Sequence, residues 1–467
     1  MKTHSLKKFL NTGIITPERM KVIDKNAVSL GVTALQLMES AGKSLSECVK
    51  RDDPSFILIL CGGGNNGGDG FVAARYLSKT AHVHVLYPRD AVYGDESRVN
   101  LKSLSYCDIE IHPVRCPFDV SGLKYLFDSA DCIVDAILGT GAGGELREPF
   151  KSMADLANRS DAGIISADMP TPGIHADTVC AFHRSKTPGS DVYDIGIPIE
   201  AEVYTGEGDL TLIPKKKSDA HKGEGGRVLV IGGGPYQGAP YLAALAALRG
   251  GADIVRVATP NLLSYPDLII DRLDGEYISK IHTERLIELA KVSDSVVFGC
   301  GLGDKSHDVM LEVSEYCKKA VFDADSLRLP LPCGAESVYT PHAGEFERIS
   351  GIKSSGSPAE CAEVLRDFAQ DNNGTYILKG ETDIITDGDD VRFNRSGCSA
   401  MTKGGTGDVL AGLCGALLCR LPAFDAACIA AYVNGCSGEA AAEDYGDGIM
   451  AGDIIDKIPK IMYRGVG

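Results

Sequence analysis

The chain has 467 residues, too many for one ordinary core, so two or three domains are expected. Its 44% hydrophobic and 24% charged residues are the proportions of a soluble globular protein, and a formal net charge of −17 argues against nucleic acid as a partner. Fifteen cysteines occur without a CxxC or a Cys/His pair at zinc spacing; those among apolar neighbours, such as Cys414, Cys419 and Cys428, read as small core residues in a reducing compartment. The opening MKTHSLKKFLNTG lacks the apolar core of a signal peptide, and the longest apolar run stops at Arg420. No membrane partner and a cytoplasmic location are therefore expected.

The first strong element is the run FILILC at 56–61, which leads straight into Gly62-Gly-Gly-Asn-Asn-Gly-Gly-Asp-Gly70. A helical pattern, FVAARYLSK, and a strand, HVHVLY, follow; further strands are expected at 132–137 and 163–167. Strands alternating with helices predict a parallel sheet with helices on both faces. Gly62, Gly64 and Gly67 satisfy the dinucleotide fingerprint GxGxxG, and Asp90 falls near the place of a ribose-binding acid, so a Rossmann dehydrogenase stays open. Asn65, Asn66 and Asp69 crowd the space of a pyrophosphate. They suit hydrogen bonds to an amide or hydroxyl, or an oxygen shell around a cation. Asp135 and Asp168 end two more strands in turns, on the carboxyl edge where ligands of open parallel sheets collect. Either acid alone is more often a turn cap. Three such strand ends in one domain indicate a site.

Residues 213–223 (IPKKKSDAHKG) are polar, basic and bracketed by Pro and Gly, which suits an exposed linker. Directly after it RVLVI runs into Gly232-Gly-Gly-Pro-Tyr-Gln-Gly238 and an Ala/Leu-rich helix, restarting the strand–glycine–helix order without a residue-level repeat. Near the end, Gly404, Gly405 and Gly407 precede an apolar run from Val409 to Cys419, with Asp408 at the tip. A glycine turn opening a helix points backbone N–H groups outward, and the helix dipole adds positive potential, so phosphate is its natural guest. Asp408 is then a general base or the group that orients a substrate hydroxyl; as a plain structural element it is a helix cap. Phosphoryl chemistry is the first hypothesis.

In the first half, GGGNNGGDGFVAARYL, VDAILGTG, HADTVCAFHRSKTPG and the opening MKVIDKNAVSLGVTALQLMESAG resemble the NAD(P)H-hydrate epimerase domain. That resemblance implies a cofactor site of Asn65, Asn66, Gly67, Gly68 and Asp69, of the loop Gly139, Thr140, Gly141, Ala142, Gly143, Gly144 and Glu145, and of Asp168 as a catalytic acid. It implies a potassium ion held by Asn66, Asp135 and Thr171, and it matches Lys186 to a lysine common in the family. Where the family usually has Ser-Gly after Asp-x-Pro, this chain has Thr171-Pro172, and Pro fixes φ and removes an N–H.

In the second half KGEGGRVLVIGGGPYQGAPYLAALAALRGGADIVRVATP, VFGCGLGD, VFDADSLR, YTPHAGEFERISG, YILKGETD, GGTGD and GIMAGDIIDKIP occur in order and resemble the ribokinase-like NAD(P)H-hydrate dehydratase, which uses ADP or ATP. The implied catalytic residue is Asp408. The implied substrate contacts are Ala252, Gly301, Gly303 and His342. Lys379, Gly380, Glu381, Thr382 and Asp383, with Gly405, Thr406 and Gly407, would meet the nucleotide and its magnesium. The family commonly has Thr at Asp383 and a small residue at Lys403; Lys403 could add a phosphate contact.

The expected architecture is α/β with two domains. A Rossmann-like three-layer parallel sheet spans 1–213, a linker 214–223, and a ribokinase-like domain 224–467. The implied activity is repair of hydrated nicotinamide cofactors, with NAD(P)H hydrates and ADP or ATP as ligands, no nucleic acid, and a homo-oligomeric assembly. A vitamin-precursor kinase of the same superfamily, a non-catalytic binding role for the first half, and a dehydrogenase stand as alternatives.

Overall fold

The computed structural model describes residues 6–139, 145–216, 219, 221–262 and 265–463. The chain forms two compact units, one of residues 12–198 and one that joins the chain up to Asn11 with everything from Ile199 on. Residues 199–213, grouped with the first domain by the sequence reading, thus fall in the second unit. The reason is chemical. Asp209 pairs with Arg392 in full burial, and Arg392 also donates to the Tyr204 carbonyl. Leu6 and Phe9 enter the same core, Phe9 edge-on to Phe393 at 5.2 Å.

The first unit holds β1 (Phe56–Cys61), β2 (His82–Pro88), β3 (Glu110–Val114), β4 (Cys132–Ala136), β5 (Gly163–Ala167), β6 (Thr178–Phe182) and β7 (Asp191–Tyr193). All pair in parallel, in the order β3-β2-β1-β4-β5-β6-β7. Side chains of β1 alternate between two buried faces. Leu58 and Leu60 pack with Leu126, Phe127 and Met153, while Ile59 and Cys61 meet the helix Asn65–Leu77 at Gly70. That explains a run apolar at every position rather than every second one.

The second unit holds β8 (Arg227–Ile231), β9 (Ile254–Thr259), β10 (Ile269–Arg272), β11 (Ser295–Phe298), β12 (Lys319–Phe322), β13 (Glu336–Tyr339), β14 (Thr375–Leu378), β15 (Asp383–Thr386) and β16 (Val391–Asn394). Its order is β10-β9-β8-β11-β12-β13-β14-β15-β16, parallel up to β14 and antiparallel for the last two pairings. The short connection from Leu378 to Asp383 leaves no room for a crossover helix, so the chain must turn back. On one face Phe298, Phe322, Tyr339 and Tyr376 stack across four strands, with centroids 5.1, 5.2 and 4.6 Å apart. On the other, Val228, Val230, Val297 and Val321 pack against helices Ala239–Arg249, Thr406–Leu418 and Ala423–Tyr445. Cys414 and Cys428 are buried there, Cys419 only partly.

The helix Thr406–Leu418 lies so close to Ala239–Arg249 that a Cβ on Gly412 would stand 1.9 Å from the Ala243 carbonyl oxygen. Gly412→Ala is therefore expected to lower stability by about 1–3 kcal/mol in thermal or urea denaturation. Gly452→Ala, in a helix with open space around it, is expected to be neutral or stabilising.

Candidate active sites

In the first unit, residues that follow the carboxyl ends of β1, β4, β5 and β6 line a cavity of about 870 Å3. Asn65, Asn66 and Asp69 come from the first turns of helix Asn65–Leu77, Gly139 from the loop after β4, Asp168 from the end of β5, and Lys186 from beyond β6. Gly67 and Gly68 do not line it; they let the helix close onto the Gly62 carbonyl and Met38. Asp168 adopts a left-handed backbone, φ +65, which Asp tolerates better than most residues. Its carboxylate accepts from Lys186 Nζ at 2.5 Å, with the two side chains only 11% and 3% exposed.

Asp24, not singled out in the sequence, lines the same cavity from helix Pro17–Ser29. Its signal is an acid at the border of the buried stripe Met20, Ile23 and Ala27. Burial pushes its carboxyl up to about 6, against the pull of the Lys186 ammonium. Burial, then the charges of Asp168 and Asp24, push Asp69 well above the carboxylate range. Two acids whose carboxyls are raised by burial, Asp24 and Asp69, thus share the cavity with the Asp168–Lys186 ion pair.

Asp135 is fully enclosed. Its oxygens accept from Ser166 Oγ and Thr171 Oγ1, both at 2.7 Å, and from the N–H groups of Thr171 (2.9 Å) and Ile137 (3.2 Å). Burial pushes the group up and these bonds oppose it, with no side-chain cation contributing among the described residues. Asn66 reaches the neighbouring Ala167 carbonyl through Nδ2 at 3.3 Å. The carboxylate of Asp135, the hydroxyl of Thr171 and the side-chain amide of Asn66 are oxygen donors of the type that suits a potassium ion.

The second site lies at the carboxyl edge of the second sheet. Gly405, in the left-handed region at φ +98, starts the helix Thr406–Leu418 and puts Asp408 in its first turn. Cys300 after β11, Asp323 after β12 and Asp408 each bring one polar atom within 4.8 Å of the others. Asp323 Oδ1 accepts from Thr340 Oγ1 at 2.7 Å and from Lys379 Nζ at 2.8 Å. Burial works against the Lys379 charge, but Asp323 and Glu345 prevail and hold its pKa up. Burial first, then the Asp323 charge, pushes Asp408 up to about 6, against its bond with Cys300. A Cβ on Gly407 would stand 3.5 Å from Lys379 Nζ. The glycine loop therefore borders the Lys379 ammonium, which pairs with Asp323.

His342 caps helix Ala343–Ser350. Its Nδ1 accepts from the N–H groups of Gly344 and Glu345 at 3.0 and 3.2 Å, which leaves the proton on Nε2, 3.4 Å from Glu345 Oε1. It bridges to Lys379 on the same edge and is 60% exposed. Gly301 and Gly303 follow β11, and the Gly303 N–H donates to Asp325 at 2.8 Å. Ala252 does not join them. It lies two residues before β9, at the opposite edge of the sheet, with its N–H bonded to the Ala247 carbonyl. The alanine beside Gly301 is Ala239, at the start of the helix after the glycine loop.

Residues 228–460 match the family model described as NAD(P)H-hydrate dehydratase, and residues 34–182 the one described as YjeF-related protein N-terminus. The bifunctional NAD(P)H-hydrate repair enzyme Nnr of Methanospirillum hungatei is 49% identical over 456 residues, 98% of this chain and 95% of its own length. The chain belongs to the bifunctional NAD(P)H-hydrate repair enzyme family. Members named Nnr from Archaeoglobus fulgidus and Escherichia coli are 39% and 30% identical, covering 96% and 93% of this chain and 98% and 90% of their own lengths.

The departures from the family pattern resolve locally. In Thr171-Pro172-Gly173-Ile174 the Ile174 N–H bonds the Thr171 carbonyl at 2.9 Å and Gly173 has φ +92. This is the turn in which Pro is favoured at the second position and Gly at the third. Thr171 keeps both its N–H and its hydroxyl on Asp135. Lys403, expected as a phosphate contact, instead donates to the carbonyls of Asp447 and Ile449. Asp383 is spent on the turn after β14, accepting from the Gly380 N–H at 3.0 Å and Asn394 Nδ2 at 2.9 Å. In that turn Gly380 and Glu381 are exposed and Thr382 half-buried, while Thr406 Oγ1 bonds the Lys403 carbonyl. Asp90 meets Arg115 at the surface, 3.1 Å away, and is not among the residues that line the 870 Å3 cavity. Thr140, Gly141, Ala142, Gly143 and Gly144 lie outside the described residues; Glu145 is exposed.

Because Asp408 is raised in the folded chain from the ordinary 3.8 to about 6, the folded state binds the extra proton between those values. Stability from this group falls as pH rises through that window and is lowest above it. Asp408→Asn is expected to be more stable than the parent at pH 7.5, by up to about 3 kcal/mol, with the difference vanishing near pH 3.5. Thermal denaturation across pH reads this directly.

Proposed function

We propose that the chain repairs nicotinamide cofactors damaged by water addition. Its first unit interconverts the R and S hydrates at C6, and its second dehydrates the S form with ADP or ATP as phosphoryl donor. The second step is carried by one observation: a carboxyl raised to about 6 at a glycine-started helix, grouped with Asp323 and its Lys379 partner. Asp408 takes the proton of the C6 hydroxyl as its oxygen attacks the terminal phosphorus. The bond to the departing nucleotide breaks, releasing ADP from ATP or AMP from ADP. The new ester then leaves as phosphate while a proton is lost from C5, which restores the ring double bond. Amide N–H groups of Gly405, Thr406 and Gly407 and the Lys379 ammonium meet the charge on the moving phosphoryl group. Magnesium entering with the nucleotide would neutralise phosphate charge, and the carboxylate of Asp323 offers an oxygen ligand of the kind it prefers.

In the first unit, inversion at C6 needs a proton to leave the hydroxyl as the C6–N1 bond opens and to return on closure. Asp168, fixed by Lys186, faces the cavity for that exchange, and Asn65 offers its amide to the carboxamide of the ring. A potassium ion held by Asn66, Asp135 and Thr171 would supply fixed positive charge behind them. Near-full-length identity to enzymes named for this repair supports both halves of the reading.

Mixed R and S hydrates of NADH, given with ADP, ATP or neither, test it by recovery of the dihydropyridine absorbance. The expected result is nucleotide-dependent recovery of the whole mixture. Asp408→Asn is expected to slow it about a hundred- to ten-thousandfold while R and S still interconvert. Asp168→Asn is expected to confine rapid recovery to the S fraction. A stable phosphate ester in place of restored NADH would make the second unit a small-molecule kinase instead. Unchanged epimerisation in Asp168→Asn would remove that residue from the mechanism.

A further inference from the structure

Away from both sites, His84, Glu110 and His112 meet on one face of the first unit's sheet. Glu110 and His112 are two apart on β3 and so project to the same side, and His84 on β2 is the register partner of Glu110. None of the three lines the 870 Å3 cavity. His84 Nδ1 and His112 Nε2 are 3.0 Å apart, His84 Nδ1 and a Glu110 oxygen 3.7 Å, and one ligand atom from each residue lies within 4.8 Å of the other two. Ligands at about 2.0–2.1 Å from a tetrahedral zinc are about 3.3–3.4 Å apart, a spacing the two observed distances bracket. Two imidazole nitrogens facing each other can share only one proton, so at least one already presents a lone pair.

The rings lie nearly parallel, 11° apart at 5.3 Å between centroids, and Phe56 packs on His84 at 4.8 Å. His84 is therefore held from both sides and is 10% exposed, whereas Glu110 is 71% exposed. One ligand is fixed in the fold, and the side from which an ion arrives is open. Hydrogen bonding between the histidines alone accounts for neither the carboxylate on the register position nor the convergence of all three donors.

We propose that His84, Glu110 and His112 form a binding site for one divalent transition-metal ion, zinc being the best match to an imidazole–carboxylate set with a position left for water. The site is independent of the repair chemistry.

Titration of the full chain with zinc chloride by calorimetry, and with cobalt(II) by visible absorption, tests the proposal. The expected result is one equivalent bound with a tetrahedral cobalt spectrum free of thiolate-to-cobalt charge transfer. His112→Gln and Glu110→Gln are each expected to weaken zinc at least about tenfold while melting within a few degrees of the parent without metal. Zinc should raise the melting temperature of the parent and not of either variant. Cys116→Ser, which removes an exposed thiol, should bind like the parent. Absence of binding, or binding that survives both substitutions, would overturn the site. Loss of binding in Cys116→Ser, or a thiolate band with cobalt, would move the metal to a cysteine and overturn it equally.

Discussion

Taking a carboxylate out of water is the cost around which both halves are arranged. Asp24, Asp69, Asp135 and Asp408 all have carboxyls raised by burial before any charge acts on them. An acid in that state takes a proton more readily than one in solvent, which is the property a base near neutral pH requires. The surroundings decide what each becomes. Asp135, tied by four hydrogen bonds, is fixed; Asp408, with one thiol partner and a neighbouring carboxylate, is left poised.

Strand direction gathers these groups. In both sheets the strands that carry the sites run parallel, so every loop after a carboxyl end opens on the same edge. The order reverses between β1 and β4 in one sheet and between β8 and β11 in the other, and the glycine loops after β1, β8 and β11 fall beside those points. Acids, lysines and helix N-termini from distant stretches thereby meet without any one loop carrying a whole site. The helix Thr406–Leu418 adds the last piece from the far end of the sequence, seated through a glycine with no spare space.

The two-sheet architecture and the placing of several candidate site residues were legible because their signals are local. Glycine loops follow apolar strands, and Asp135, Asp168, Lys379 and Asp408 stand at strand or helix ends. What was missed depends on packing that the local pattern does not encode. Ala239 starts a helix and Ala252 follows its far end, both in small-residue contexts, and only the direction of the strands tells which lies at the carboxyl edge. Lys403 has the right charge in the right loop, but the carbonyls that claim it come from residues 447 and 449. Asp24 belongs to a helix with ordinary amphipathic spacing, and its role appears only when Asp168 and Lys186 are brought opposite. Pro172 looked disruptive until the turn geometry showed that its place favours proline.

The entry of Leu6 and Phe9 into the second unit's core, beside Phe393, bears on biosynthesis. A chain made from its amino end exposes this apolar segment long before the strand that receives it, β16, which is translated nearly four hundred residues later. The intervening unit has all its own strands by Tyr193 and can close while the ribosome is still at work. Leu6 and Phe9 thus wait for a partner made long after them, and this part of the second unit's core cannot close before β16 is translated.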